Sequence, residues 1–342
     1  MHHPMFAGVL LALLALAAFS WPVFADPTTA PATQPASGDA KANGWDGSWF
    51  AYKSDKLVVE ETTPTRAQVD WRQPPPKLPA GAAAPVAPTA LVAPLPYEHM
   101  NLTHLRFRDL DGADVPALLV TPRDRKGPFP VVIALHGLRS HKAQVVAQVG
   151  PTLVKRGFAV LAPDLPLHGE RPGNPATMFD QKDLRAFVAR AKEAIIDVRL
   201  CIDLAEQRPE LDTKNGVILV GYSMGALFNS VIGPTDQRVK AMCLMVGGTV
   251  DFPPMMAMVP QLAALQPQLA IPHFAGRPLL MLNGTQDHVI TREMSERLYA
   301  AAPDPKQQIW YDSGHLLPDR AYEQCARWVA ETWAVVSAAK TK

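Results

Sequence analysis

Cysteine is scarce in this chain of 342 residues, which carries only Cys201, Cys243 and Cys325. Their wide spacing matches no Cys/His interval of a structural metal site and demands no disulfide framework. Each falls in an apolar helix or strand, where cysteine packs as a small, inert hydrophobe. A dominant charge is also missing: 33 Lys and Arg face 32 Asp and Glu, for a formal net charge of +1. That balance offers no electrostatic footprint for nucleic acid or for an anionic membrane. A long apolar run occurs at residues 6–21, and it is shorter than the ~20 residues that a spanning helix needs.

Apolar residues, at 48%, and proline, at 34 positions, are plentiful. The first supply a sizeable core; the second cluster outside it. Residues 6–21, followed by Val23-Phe24-Ala25 before Asp26, predict a signal segment over 1–25 that is cleaved after Ala25. Its amino-terminal end carries His2 and His3 where Lys or Arg is usual, so a retained anchor stays open. Either way the protein is expected outside the cytoplasm, secreted or periplasmic. Residues 26–44 are rich in Pro, Ala, Thr and Gly and read as a flexible tether unable to bury a core. Residues 45–96 begin with Trp45, Trp49, Phe50 and Tyr52, too apolar for a linker, and end in a Pro/Ala tract over 74–96. The rest, 97–342, reads as one catalytic domain.

The chemistry is signalled at Gly221-Tyr222-Ser223-Met224-Gly225, a G-x-S-x-G pattern that follows the apolar run Val217-Ile218-Leu219-Val220. A strand that turns so tightly into a helix exposes its serine at the sheet edge, beside amides that favour negative charge. Such an elbow calls for an acid and then a histidine further along the chain. Asp287 follows the apolar run 278–282, and His315 follows the run 307–311. Imidazole titrates close enough to neutrality to take and return the serine proton. A carboxylate would hold its tautomer. Asp251 and Asp312 are competing acids, and Asp287 is preferred because it completes the order serine, acid, histidine on equivalent strand ends. Another apolar run, 131–135, ends in His136-Gly137-Leu138. The backbone amides of Leu138 and Met224 are the expected oxyanion hole. His136 reads as a brace for that loop rather than a catalytic group.

Two segments at 102–110 and 115–120, joined by Asp111-Gly112, predict an antiparallel hairpin. Strands near 131–135, 158–162, 217–220, 239–246, 278–282 and 307–311 follow, mostly continuous apolar runs suited to parallel strands covered on both faces. Helical patterns lie between them, at 142–155, 183–207, 226–232, 292–301 and 321–338. The expected class is α/β: a mostly parallel sheet of eight strands with an antiparallel N-terminal hairpin and helices on both faces.

These motifs, together with Arg156-Gly157-Phe158-Ala159-Val160-Leu161-Ala162-Pro163-Asp164 and Leu167-His168-Gly169-Glu170-Arg171, resemble the α/β-hydrolases of the dienelactone hydrolase and acetyl xylan esterase-like branch. The resemblance spans roughly residues 100–340 and implies the Ser223, Asp287, His315 triad. It further implies that Asp164 and His168-Gly169 shape the loop bordering the site, and that Phe50-Ala51-Tyr52-Lys53 belongs to an arm packed on the catalytic domain. No cofactor or metal is implied.

Pocket candidates are Tyr222 beside the nucleophile, Arg171, Met178 and Phe179 in the loop 165–182, and Phe252, Met255 and Met256 in the Met-rich loop 250–277. These loops hold no aromatic run that would mark a sugar polymer ligand. The expectation is an exported serine hydrolase of carboxylic esters, small or polymer-borne, working through an acyl-enzyme. A prolyl-oligopeptidase-like peptidase, a lactone or dienelactone hydrolase, and a catalytically silent binding protein stay open. Oligomeric state has no sequence signature here.

Overall fold

The computed structural model describes residues 44–72, 77, 97–180, 182–252 and 259–338. The signal segment 1–25, nearly all of the tether, most of the Pro/Ala tract, and Met255 and Met256 lie outside the described residues. The expected hairpin forms from β2 (Met100–Arg108) and β3 (Asp114–Pro122), with β1 (Val59–Thr62) added antiparallel to the outer edge of β2. The strands β4 (Phe129–Leu135), β5 (Ala159–Pro163), β7 (Val217–Tyr222), β8 (Val239–Met245), β9 (Leu279–Gly284) and β10 (Lys306–Tyr311) complete the predicted set. The sheet has ten strands where the sequence predicted eight: β1 and the two-residue β6 (Leu211–Asp212), which pairs with β4, are the additions. Both were hidden for the same reason, being short and largely polar, with no run of apolar residues to mark them.

Strand order is β1-β2-β3-β5-β4-β7-β8-β9-β10, parallel from β5 onward. The chain leaves β4 toward β5 on one side and later returns to place β7 on the other. Such a reversal of strand order opens a crevice at the carboxyl ends of the strands, where open α/β sheets place their ligands. The central strands are buried at every position but Pro130, as parallel strands covered on both faces must be.

Helices α1 (Lys142–Lys155) and α5 (Asp319–Ala338) pack on one face, through Val145, Val149, Leu153, Ala326 and Val329 among others. Helices α2 (Leu184–Glu206), α3 (Met224–Thr235) and α4 (Arg292–Ala301) cover the other, through Ile195, Leu200, Val231 and Leu298. The amino-terminal arm docks on this second layer. Phe50 is wholly buried, the Arg199 guanidinium donates to the Phe50 carbonyl at 2.6 Å, and the Trp45 indole donates to the Ala264 carbonyl at 3.0 Å. The described end of the Met-rich loop, 259–277, is not an open flap: it folds into short helical turns that bury Leu262 and Phe274.

Candidate active site

Ser223 stands between β7 and α3 with φ 53° and ψ −113°, a backbone conformation that a non-glycine residue adopts only under constraint. The constraint comes from its neighbours. A side chain on Gly221 would meet the Gly225 carbonyl at 2.5 Å, and one on Gly225 would meet the Leu135 carbonyl at 2.4 Å. Only glycine at both positions lets helix and strands close so tightly. The Ser223 amide is held to the Met245 carbonyl at 2.9 Å, so the hydroxyl projects from a fixed frame.

The other two sequence-predicted residues converge on it. His315 Nε2 lies 2.9 Å from Ser223 Oγ, and His315 Nδ1 lies 2.8 Å from Asp287 Oδ2. Asp287 Oδ1 accepts from the amides of Val289 at 2.8 Å and Ile290 at 3.0 Å, so the carboxylate is buried and oriented before it meets the imidazole. Because Asp287 can only accept when ionised, His315 carries its proton on Nδ1 and presents Nε2 as a base to the hydroxyl. The competing acids lie elsewhere. Asp251 is exposed and paired with Arg297, and Asp312 accepts from the Gln286 side-chain Nε2.

Among the described residues, the amides of Leu138 and Met224 donate to no protein group. Met224 is the first residue of α3, where an amide has no partner within the helix. A Cβ added to Gly137 would lie 3.5 Å from Ser223 Cβ, so the loop bearing Leu138 runs against the nucleophile. His136 braces that loop. Its Nδ1 donates to the Gly137 carbonyl at 2.8 Å and its Nε2 accepts from the Leu165 amide at 3.1 Å. Burial pushes its imidazole down to about 4, leaving it neutral and structural.

Behind the loop lies a buried ionic cluster in which Lys142, unmarked in the sequence, joins Asp164 and Glu170 of the family-like motifs. The Lys142 amide donates to Asp164 Oδ1 at 2.9 Å, and its ammonium reaches Asp164 Oδ2 at 2.6 Å and Glu170 Oε1 at 2.5 Å. Burial works to raise the Asp164 and Glu170 carboxyls, yet the Lys142 charge holds both below the usual range. Glu170 also receives Gln68 of the arm at 3.0 Å and stands 2.8 Å from His104 Nε2. The arm is thereby tied to the loop after β5 and, through Lys142, to the start of α1.

Three pocket candidates are corrected. Arg171 is buried, its guanidinium shared by Asp109, Glu193 and Asp197, whose carboxylates converge within 4.8 Å. Arg171 supplies the positive charge in their midst, so its task is to neutralise a buried acidic cluster. Met178 is wholly buried in the core because its segment turns inward. Tyr222 is also buried, since strand alternation places it with Ile218 and Val220 in the core packed on α1 and α5. Phe179 and Phe252 are half-buried and join Phe187 and Phe228 in an aromatic cluster.

Comparison with known proteins agrees with this architecture. The chain matches the dienelactone hydrolase family over residues 115–321. It is 28% identical over 212 residues to esterase YjfP of Escherichia coli (strain K12), covering 55% of this chain and 81% of that protein. It is 30% identical over 158 residues to the putative hydrolase MhqD of Bacillus subtilis (strain 168), covering 45% and 68% respectively. Among solved structures, the acetyl xylan esterase from Paenibacillus sp. R4 superposes with a TM-score of 0.58 at 18% identity, covering 71% of this chain and 87% of that one. Acetyl xylan esterase 1 from Thermoanaerobacterium sp. JW/SL YS485 gives 0.57 at 17% identity, covering 78% and 92%. At these identities the two structures establish the α/β-hydrolase fold alone.

Proposed function

The chain belongs to the dienelactone hydrolase family, and we propose that it is an exported serine hydrolase that cleaves carboxylic esters through an acyl-enzyme. The observation that carries this reading is the unbroken hydrogen-bonded run from Ser223 Oγ through His315 to Asp287, set at the strained elbow. Ser223 Oγ attacks the ester carbonyl while His315 Nε2 takes its proton. The carbonyl oxygen, now anionic, is received by the amides of Leu138 and Met224. Each such donor is worth about 3 kcal/mol in the transition state. The C–O bond then breaks, and His315 returns the proton to the departing alkoxide to give the alcohol. Water attacks the acyl-enzyme with His315 again as base, releasing the acid and free Ser223. Asp287 stays ionised throughout and stabilises the imidazolium.

The relative named as an esterase supports ester over amide cleavage. Export rests on the apolar stretch 6–21 and the small residues before Asp26. The test is hydrolysis of p-nitrophenyl esters from acetate to dodecanoate by protein starting at Asp26, beside Ser223→Ala. Turnover lost in the variant supports the serine esterase, and the preferred chain length reports the depth of the acyl pocket. Equal rates in both proteins, or no turnover on any ester, would overturn it.

A further inference from the structure

The loop that carries His315 leaves β10 and crosses to α5 without regular structure over residues 312–318. Its start is tied: the Ser313 amide donates to the Tyr311 carbonyl, and the Ser313 carbonyl accepts from the Gln286 amide, each at 2.9 Å. Beyond that point, among the described residues, the backbone of residues 314–317 makes no hydrogen bond to other backbone. Its bonds go to a single side-chain atom instead. Tyr222 Oη donates to the His315 carbonyl at 2.6 Å and accepts from the Leu317 amide at 3.1 Å. One hydroxyl thus holds both peptide units that flank Leu316. The Tyr222 ring also stands edge-on to the imidazole, centroids 6.2 Å apart at 82°.

We propose that Tyr222 is a positioning residue for the base, its hydroxyl fixing the His315 backbone so that Nε2 reaches Ser223 while Nδ1 keeps Asp287. This inference rests on the hydrolase reading and deepens it. Side-chain bonds to Asp287 and Ser223 orient the imidazole only if its Cα is already in place, and the loop has no ladder to supply that. Tyr222 is the residue before the nucleophile. Its side chain packs in the cluster that also holds Tyr311 and Leu317, the two ends of the His315 loop. Nucleophile and base therefore share one frame: any shift of the elbow carries the base with it. Burial raises the Tyr222 phenol far above its ordinary value, so the hydroxyl stays a donor at every working pH.

The test is Tyr222→Phe in the full chain, which keeps the ring and deletes the hydroxyl. Misplacing a catalytic group by ~1 Å costs about 100-fold, so kcat on p-nitrophenyl acetate is expected to fall about 10- to 100-fold with KM within about 2-fold. The low-field proton resonance of His315 Nδ1–H, bonded to Asp287, should broaden or move. Tyr311→Phe removes from the same core cluster a hydroxyl that is not the one bonded to His315 and Leu317, and should leave both readouts unchanged. A Tyr222→Phe protein with wild-type kcat and an unmoved resonance, only melting earlier, would reduce Tyr222 to packing and overturn the proposal. Ser223→Ala run alongside separates the two readings. If that variant still turns over at the wild-type rate, the hydrolase reading fails. If it is inert while Tyr222→Phe runs at full rate, only the positioning inference fails.

Discussion

At the scale of single residues, the site depends on how hydrogen bonds orient its acid and its base. Asp287 presents Oδ2 to His315 and spends Oδ1 on two backbone amides. Asp287→Asn preserves the shape and lets its oxygen keep the amides, but turns an NH2 toward Nδ1. The imidazole must then flip to the tautomer that cannot accept the serine proton. The expected outcome is a fall in kcat of about 10³- to 10⁴-fold with little change in melting temperature, read by steady-state kinetics and calorimetry. Ser223, Asp287 and His315 were legible in the sequence because each lies in the turn or loop that leaves a strand at its carboxyl end, and the fold gathers those ends. Arg171 and Tyr222 were misread as pocket residues for a physical reason. Whether a side chain beside a catalytic motif faces the cleft or the core is decided by the partners that meet it, here acids from other elements and a loop nearly a hundred positions away.

At the scale of elements, the oxyanion loop is held by what lies behind it. Lys142 opens α1, and with its side chain wholly buried it is the counter-charge of Asp164 and Glu170. Removing one partner from a buried ionic cluster strands the others, at a cost of about 3–5 kcal/mol. Lys142→Met is therefore expected to lower the unfolding free energy by that amount, read as an earlier urea midpoint, and to reduce kcat as the Leu138 loop loosens. An unchanged midpoint would contradict the buried cluster. Nothing local could have announced it: a lysine at the start of a helix reads as solvated until β2, the arm and the loop after β5 close around it. The arm is a second structural element of the domain. Phe50→Ala should cost about 3–5 kcal/mol, as truncation of a buried aromatic does. A loss under about 0.5 kcal/mol, the size of an ordinary surface substitution, would show that the arm contributes little.

At the scale of the whole molecule, the balance of buried titratable groups sets the response to acid. Burial pushes His136 and His141 down to about 4 and His168 to about 3. In the unfolded chain each titrates near about 6.5. Between roughly pH 6.5 and pH 4 the unfolded state therefore binds more protons, and stability falls as pH falls through that window. Asp197, raised by burial to about 7, and Glu193, also raised by burial, act with the opposite sign, while Asp164 and Glu170, held low by Lys142, act with the three histidines. The melting temperature should be lower at about pH 4.5 than at about pH 7, with net proton uptake on unfolding. A flat or rising melting temperature on acidification would contradict the assignment. The parallel sheet and its antiparallel start were legible because continuous apolar runs and one Asp-Gly turn mark them, whereas β1 and β6 carry no such mark. The central claim is that Ser223 carries the acyl group. The most direct measurement is acid quench of the protein during turnover of p-nitrophenyl acetate, followed by peptide mapping by mass. The account predicts an acetyl group on the peptide holding Ser223, absent from Ser223→Ala and accumulating in a burst if deacylation is slow. Turnover with no acyl-peptide, or with the acyl group on another residue, would contradict it.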